Sequence, residues 1–560
     1  MITYDFEAYN WIDAYAVGIY DGTKTKILKD ENITNLIEFL LNSIEDKQEA
    51  YAHFGGGYDI RFILDYLNSE DNKIYTTGKI IMIKSGFALL EVINKNTGKI
   101  IYFKDSYFLM PLSLKNLTYG LNVENKKLEM DYELGINDPN FDSYFENDLK
   151  GLYQVLIKSQ MNLNKLTIAS NAMEIFKNKF VTNKKLYTNK VEVDDKFRKS
   201  YYGGRTEVFK KVFNSKTETL YYYDVNSLYP TVMSGNLFPE IKYKNFTEDK
   251  TLSENGIYNV QITCNDNVNI PVLGNRDITG KLLFSTGEIE GYYCGAEIIK
   301  ALSLGYSNLK IREGFIFNCV DLFSNYVKYF YDLRKSNPDL NIVYKLFLNS
   351  LYGKFGQKRT VDVLEPNNIN DIGKIKQTEL KDALFIADKI YTKKNVKNTR
   401  GFMHSEIAAF ITSYARLYLY GLFEKAGVEN IYYCDTDSIF TTTKLETSDE
   451  LGGIKLEDTI IEAYFISPKF YCYKNIEGKE FVKTKGFNYK TFTFEDLKNY
   501  VLHNKPLVTK FDDFVSIKQN LKSGSKTAAI TYYKKEVLNI NSKRIFLDNK
   551  SSIPIKSAII

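Results

Sequence analysis

The stretch IYYCDTDSIF, residues 431–440, sets two aspartates, Asp435 and Asp437, one residue apart between two apolar, β-branched and aromatic runs. Each flank has the composition of a half-buried strand. In an extended segment the side chains of residues i and i+2 point the same way, so the two carboxylates are expected side by side at a strand or hairpin tip. Like charges held that close raise a pKa or attract a cation. A lone D-x-D is equally at home as an Asx-type hairpin turn, so the rest of the chain has to decide.

A chain of 560 residues is too long for one core and is expected to divide into roughly three to five domains or subdomains. With 44% hydrophobic and 26% charged residues it has the composition of an ordinary globular protein, not a disordered one. Its cysteines, Cys264, Cys294, Cys319, Cys434 and Cys472, have no C-x-x-C spacing, which argues against a disulfide framework or a zinc site. Three histidines leave metal chemistry to carboxylates, which favour hard cations such as magnesium or manganese. The opening MITYDFEAYN carries acids where a secretory signal needs basic and apolar residues. No uninterrupted apolar run reaches membrane-spanning length, so no membrane partner is expected. Residues 521–560 hold eight Lys and Arg against two acids, a balance that suits a polyanion partner.

Along the chain, ITYDFEAY reads as a buried strand and AYAVGIYDGTKTKIL as a hairpin turning at Asp21-Gly22. TNLIEFLLNSI reads as an amphipathic helix, and AYAHFGGGYDIRFILDYL as strand, glycine turn and helix. Two or three strands precede a helix in DSYFENDLKGLYQVLIKSQ. Residues 241–330 read as mixed and turn-rich, residues 320–353 as helical, residues 357–400 as free of motifs, and SEIAAFITSYARLYLYGLFEKAG as another helix.

A partner for the D-x-D lies in YYYDVNSLYP, residues 221–230, where Asp224 ends an aromatic strand and opens into a turn and helix. A third carboxylate beside Asp435 and Asp437 completes a cage for two divalent ions, the arrangement that serves in-line phosphoryl displacement. In KLFLNSLYGKFG, residues 345–356, Lys345, Asn349 and Tyr352 fall on one helical face. A lysine, an amide and a tyrosine so placed suit a triphosphate and a base or sugar; a solvated surface helix has the same pattern.

Together these segments resemble motifs A, B and C of the family B DNA polymerases, in the order D-x-x-S-L-Y-P, K-x-x-x-N-S-x-Y-G and D-T-D-S. The resemblance is to the protein-primed branch of phage and linear-plasmid replicases. That branch also has K-x-Y after motif C, here Lys469-Phe470-Tyr471, and Y-x-G-G before motif A, here Tyr201, Gly203 and Gly204. The resemblance implies a multidomain α/β and α+β chain: an RNase H-like 3′→5′ exonuclease domain plus a right-hand polymerase of palm, fingers and thumb with two palm insertions. On that reading residues 1–190 form the exonuclease domain, 191–240 and 401–490 the palm, and 331–356 the fingers. Residues 241–330 form a first insertion that docks a terminal protein, 357–400 a second for processivity and strand displacement, and 491–560 the thumb.

Carried over by motif, Asp224 and Asp437 hold metal, supported by Asp435, and Tyr229 is the gate against a ribose 2′-hydroxyl. Lys345 neutralises the triphosphate, Asn349 and Tyr352 line the nucleotide pocket, and Arg334 or Lys335 adds a phosphate contact. Tyr201, Gly203 and Gly204 touch DNA, while Lys469 and Tyr471 hold the primer terminus; for the two glycines a plain turn serves as well. In the N-terminal third Asp5, Glu7, Asp59 and Asp148 resemble the acids of the proofreading motifs, with Tyr144 placing a water and Lys127 at the same site. Ser106 and Tyr107 stand where the family has Ser/Thr-Leu for single-strand binding. One departure is clear: FGGGYD puts Phe54 where the family has an asparagine that touches the frayed 3′ end, and stacking on a base is the alternative that a phenyl ring offers.

The implied cofactors are magnesium or manganese, two ions per site. The implied partners are template and primer DNA, deoxynucleoside triphosphates and a terminal protein, with the enzyme a monomer in a phage or plasmid host's cytoplasm or an organelle. The competing readings are a family B polymerase confined to nucleic-acid primers, a DxD sugar-nucleotide transferase, and an inactive DNA-binding protein. The transferase has no use for the motif B segment or the N-terminal acids. The inactive protein leaves clustered carboxylates buried at a cost without a purpose.

Overall fold

The computed structural model describes residues 1–560 except 85, 182–188, 243–244, 359, 398–403, 486, 488–491, 524–525, 528–529, 538–542, 549 and 558–560. Its N-terminal body is a seven-stranded sheet in the order Thr25–Lys29, Asp13–Tyr20, Ile2–Tyr9, Gln48–Ala52, Ile100–Asp105, Gly86–Asn94, Tyr75–Ile83. Ile2–Tyr9 pairs with Gln48–Ala52, and that strand with Ile100–Asp105, in parallel; the remaining pairs are antiparallel. These parallel strands bury Ile2, Tyr4 and Phe6, Tyr51 and Ala52, and Ile101 and Phe103, and carry the acids Asp5, Glu7 and Asp105 among them. Helix Phe141–Lys158 lies against the first two strands, so close at Gly18 that a β-carbon there would meet Leu149 Cδ1 at 2.6 Å.

A second sheet of eight strands forms the centre of the molecule. Leu220–Val225 lies between Ser438–Thr441 and Ile454–Ser467, antiparallel to both. Ile431–Asp435 and Thr206–Val208 continue one side; Phe470–Asn475 and Glu480–Thr484 continue the other. Helix Ser405–Ala426 is buried along most of its length beneath it.

Three segments hold structure that their sequence reading left undefined. Residues 241–330 are built around a sheet in which Gly256–Cys264, Thr286–Cys294 and Ser307–Phe317 pair over nearly their whole length, joined by Lys556–Ser557 from far along the chain. The helical stretch after residue 320 breaks into Ser324–Ser336 and Asn341–Ser350, because Pro338 cannot continue a helix from its N-terminal side. Residues 357–400 contain a long hairpin, Thr360–Asn368 with Lys389–Lys397. Lys394 there already pairs with Glu365 at 3.1 Å, while Arg400 lies outside the described residues.

That hairpin is not a free loop. Leu384, Ile386 and Tyr391 are buried in the same apolar cluster as the N-terminal sheet, and so are Ile517 and Leu521 of helix Ile517–Ser523. The Tyr391 hydroxyl lies 2.8 Å from Thr77 Oγ1 and donates to Gly78 O at 2.6 Å. Arg61 of helix Ile60–Leu67 donates to Val515 O at 3.1 Å and to Thr527 O. Three regions distant in sequence thus share one core. No helix among the described residues is long and apolar enough to cross a membrane. Tyr391→Phe, which removes the hydroxyl that donates to the half-buried Gly78 carbonyl, is expected to cost about 1 kcal/mol. Urea unfolding followed by the emission of the chain's single tryptophan measures it.

Candidate active sites

The central sheet sets the register of the first site. Asp224 stands opposite Ser438 across one strand pair and opposite Lys455 across the other. Val225 N donates to Asp437 O at 2.8 Å, which brings the two aspartates to one cavity of about 610 Å³. Tyr229, Arg334, Lys345, Asn349, Tyr352, Lys455 and Glu457 also line it. Burial, with repulsion from Asp437 and Glu457, pushes the Asp224 carboxyl up to about 7, and burial raises Asp437 as well. Two carboxylates that resist ionisation side by side, in a donor set of oxygens, fit hard divalent cations.

The D-x-D departs from its extended reading. Thr436 has φ +62°, a left-handed residue, so parity along the strand is lost between the two aspartates. Asp437 turns to Asp224. Asp435 instead lies 3.4 Å from Lys469 Nζ and outside the cavity lining. A second left-handed residue, Ser227, follows Asp224 and starts helix Leu228–Gly235. Non-glycine residues in this conformation are costly and gather at functional sites.

The helix carrying Lys345 and Asn349 ends at Ser350, and Tyr352 sits on the next short helix, yet all three side chains reach the cavity. Tyr352 stacks on Tyr229 with ring centres 4.0 Å apart and planes at 15°. Arg334 lines the cavity with its buried Nε lacking a hydrogen-bond partner, whereas Lys335 sits over the Tyr331 ring. The structure thus separates the two cations that sequence left as alternatives.

Gly204 packs against the D-x-D turn: a β-carbon there would lie 2.7 Å from Thr436 Cγ2, and the neighbouring Arg205 O accepts from Thr436 N at 2.7 Å. Gly203 has open space beside it, its carbonyl accepting from Arg416. Tyr201 packs over Gly356, at the end of the motif B segment. Tyr471 is only 7% exposed and sits among Tyr433, Phe440 and Phe465, so its ring supports the sheet rather than projecting. Glu457 was not foreseen. It lies where the register slips between Tyr222 and Tyr223, and no residue spacing announces a bulge that turns a side chain inward.

The second site is in the N-terminal body. Ligand oxygens of Asp5, Glu7 and Asp148 lie within 4.8 Å of one another, and Asp148 Oδ1 is buried without a hydrogen-bond partner. That is the donor set of a divalent cation. Lys127 bonds Asp148 and donates to the Tyr144 hydroxyl oxygen at 2.9 Å. Asp59 stands next to Asp5 but outside that tight group, its Oδ1 accepting from Phe6 N at 3.0 Å. The FGGGYD turn runs so close to the strand at Phe87 that a β-carbon on Gly56 would strike Phe87 O at 1.9 Å. Phe54 and Tyr107 line the cavity, with rings edge to face at 5.4 Å. Ser106 does not line it: it is buried, donating to Ala52 O at 3.0 Å.

The family profile of type B DNA polymerases, organellar and viral, matches residues 137–426, over half of the chain. The chain belongs to this family. A probable DNA polymerase of Ascobolus immersus is 27% identical over 85% of the chain, and one of Neurospora intermedia 27% over 80%. The chain spans about half the length of these fungal proteins, 45% and 54%. The DNA polymerase of Bacillus phage phi29 is 25% identical over 99% of the chain and 96% of its own length. A solved structure of phi29 DNA polymerase with primer-template DNA and incoming nucleotides superposes with a TM-score of 0.71 at 20% identity, covering 96% of this chain and 99% of that one. The fold is therefore the multidomain fold of that polymerase.

Burial, with repulsion from Asp148, lifts Glu7 to about 8. The folded chain keeps this proton between about pH 4.5 and 8, where the unfolded chain has released it, so stability is highest below that window and is lost as pH rises through it. In EDTA the Tm is expected to fall from pH 5 to pH 8.5, and Glu7→Gln to flatten the decline. Differential scanning fluorimetry reads both, and a magnesium-induced rise in Tm that is larger at pH 8 than at pH 6 accompanies them.

Proposed function

We propose that the chain is a template-directed DNA polymerase with a 3′→5′ proofreading exonuclease, initiating on a terminal protein and displacing the non-template strand. One observation carries the polymerase reading: Asp224 and Asp437 share a cavity with Arg334, Lys345, Asn349 and the stacked Tyr229–Tyr352 pair. Carboxylates for metal, cations for a triphosphate and an aromatic floor for a sugar and base belong together in nucleotide addition and have no joint use in a sugar transferase. Magnesium or manganese, two ions at each site, held at Asp224 and Asp437 and at Asp5, Glu7, Asp148 and Asp59, would lower the pKa of the attacking oxygen and offset charge on the leaving one.

The chain's own groups do the rest. A hydroxyl at the cavity attacks the α-phosphorus, the bond to pyrophosphate breaks, and the hydroxyl proton leaves to solvent. Lys345 and Arg334 offset the triphosphate charge. Tyr229, held by its stack on Tyr352, blocks the space a 2′-hydroxyl needs, and Lys469 beside Asp435 lies where a primer end reaches. In the second site Tyr144, bonded to Lys127, orients the attacking water. The mixed sheet with parallel strands at its centre supports an RNase H-like exonuclease domain. Residues 241–330, built around a sheet, serve as the terminal-protein dock, and the segment 357–400, whose hairpin Thr360–Asn368 with Lys389–Lys397 is anchored to the exonuclease core, closes around DNA. Relatives in phages and fungi suit a viral or plasmid replicase acting in a host's cytoplasm or an organelle.

Asp437→Asn is expected to abolish nucleotide addition and leave degradation of single strands, and Asp5→Ala to do the reverse. Primer extension and single-strand digestion with magnesium read the two. Loss of both activities in either folded variant overturns the two-site assignment. For priming, incubation with a candidate terminal protein, magnesium and labelled dATP is expected to yield a covalent protein–nucleotide adduct that Asp224→Ala removes. Normal extension of DNA primers with no labelled partner leaves a polymerase that uses nucleic-acid primers only.

A further inference from the structure

The hairpin that carries Asp5 and Glu7 closes with a turn whose chemistry is unusual. Ile12 N donates to Tyr9 O at 3.1 Å, and the central residues Asn10 and Trp11 have φ +50° and +67°. This is a type I′ turn, whose two left-handed positions favour Asn and then Gly. Asn10 conforms. Trp11, the chain's single tryptophan, takes the glycine position and is 64% exposed. Its ring meets Tyr58 edge-on at 5.9 Å. A strained backbone bearing a large exposed ring has no folding advantage over glycine at this position, so the reason for it lies outside the fold.

The cavity beside it, about 680 Å³, has the carboxylates Asp5, Glu7 and Asp148 on one side and Trp11, Phe54, Tyr58, Tyr107 and Tyr132 along the rest. Phe54 repeats the anomaly of Trp11: its φ is +65°, its ring is 54% exposed, and it lies against Gly57, the residue before Tyr58. Two left-handed, solvent-facing aromatic residues thus share one cavity with the acids. Trp11 also follows Glu7 by four residues in a single hairpin, which fixes its distance from the carboxylates. Aromatic rings beside such a site recognise unpaired bases by stacking, a contact that tolerates every base and needs no hydrogen-bonding asparagine.

We propose that Trp11 is the stacking platform for a base at the 3′ end of a single strand entering this cavity, with Phe54 on the same lip. The proposal rests on the exonuclease reading of the site, and its binding step is measurable without hydrolysis. Because Trp11 is the only tryptophan, emission reports on this position alone. Titrating the full chain in calcium with a short oligothymidylate is expected to quench it saturably, and a blunt hairpin duplex to leave it unchanged. With magnesium, Trp11→Leu is expected to raise KM for single strands about five-fold or more with a far smaller change in kcat, and Trp11→Phe to restore most of it. Trp11→Gly is expected to weaken binding similarly while keeping or raising Tm, which separates lost stacking from misfolding. If the chain degrades single strands but emission does not respond, or Trp11→Leu keeps the original KM, the platform falls and the exonuclease reading stands. Quenching without degradation in magnesium keeps the platform and removes the exonuclease reading.

Discussion

Two carboxylates that repel each other have to be held side by side, and the central sheet exists in the form that does this. Asp224 and Asp437 come from distant parts of the chain. They meet because strand Leu220–Val225 is inserted between Ser438–Thr441 and Ile454–Ser467, with Val225 N bonded to Asp437 O. The strain appears as carboxyl pKa values raised by burial and by their neighbours. Around this pair the helices of residues 324–355 bring cations and a tyrosine to the same cavity, so the composition of the site follows from the sheet's register.

Buried ion pairs tie the remote segments to that sheet. Arg416, on the long buried helix, forms a two-point pair with Glu297 at 2.9 Å and donates to Tyr202 O at 2.7 Å. Glu207 on an edge strand takes both Arg205 at 2.7 Å and Arg544 at 3.3 Å, and Arg544 also donates to Asn269 O at 2.8 Å. Asp194 holds Arg198, which donates to Gly356 O and Gln357 O where the motif B segment ends. Such pairs add little net stability because desolvation offsets their attraction. Their use here is geometric: Arg416–Glu297 and Arg544–Glu207 join segments far apart in the chain, and the pair Asp194–Arg198, inside one helix, holds Arg198 toward residues 356 and 357.

Both sites also keep strained backbone next to the acids: Ser227, Thr436 and Lys469 in one, Trp11 and Phe54 in the other. In each case the left-handed residue aims a neighbour that an extended chain would point elsewhere. Thr436 is the clearest instance, separating the directions of Asp435 and Asp437.

By itself the sequence determined the element types and the chemical inventory. Alternating apolar residues set the strand around Asp5 and an aromatic run the strand that ends at Asp224, 3.6-residue periodicity set helices Ile33–Ser43, Phe141–Lys158 and Ser405–Ala426, and the carboxylate, lysine and tyrosine spacings announced the two sites, because those patterns are local. What only the tertiary structure decided is everything that depends on long-range register. The bulge that presents Glu457, the choice of Arg334 over Lys335 at the cavity, the burial of Ser106 and Tyr471, and the split between Asp435 and Asp437 each depend on how distant segments pack against one another. The sheet within residues 241–330 and the anchoring of the 357–397 hairpin in the N-terminal core were hidden for the same reason. Their apolar residues are covered by partners far away in the chain, and a local pattern carries no information about which distant surface will cover it.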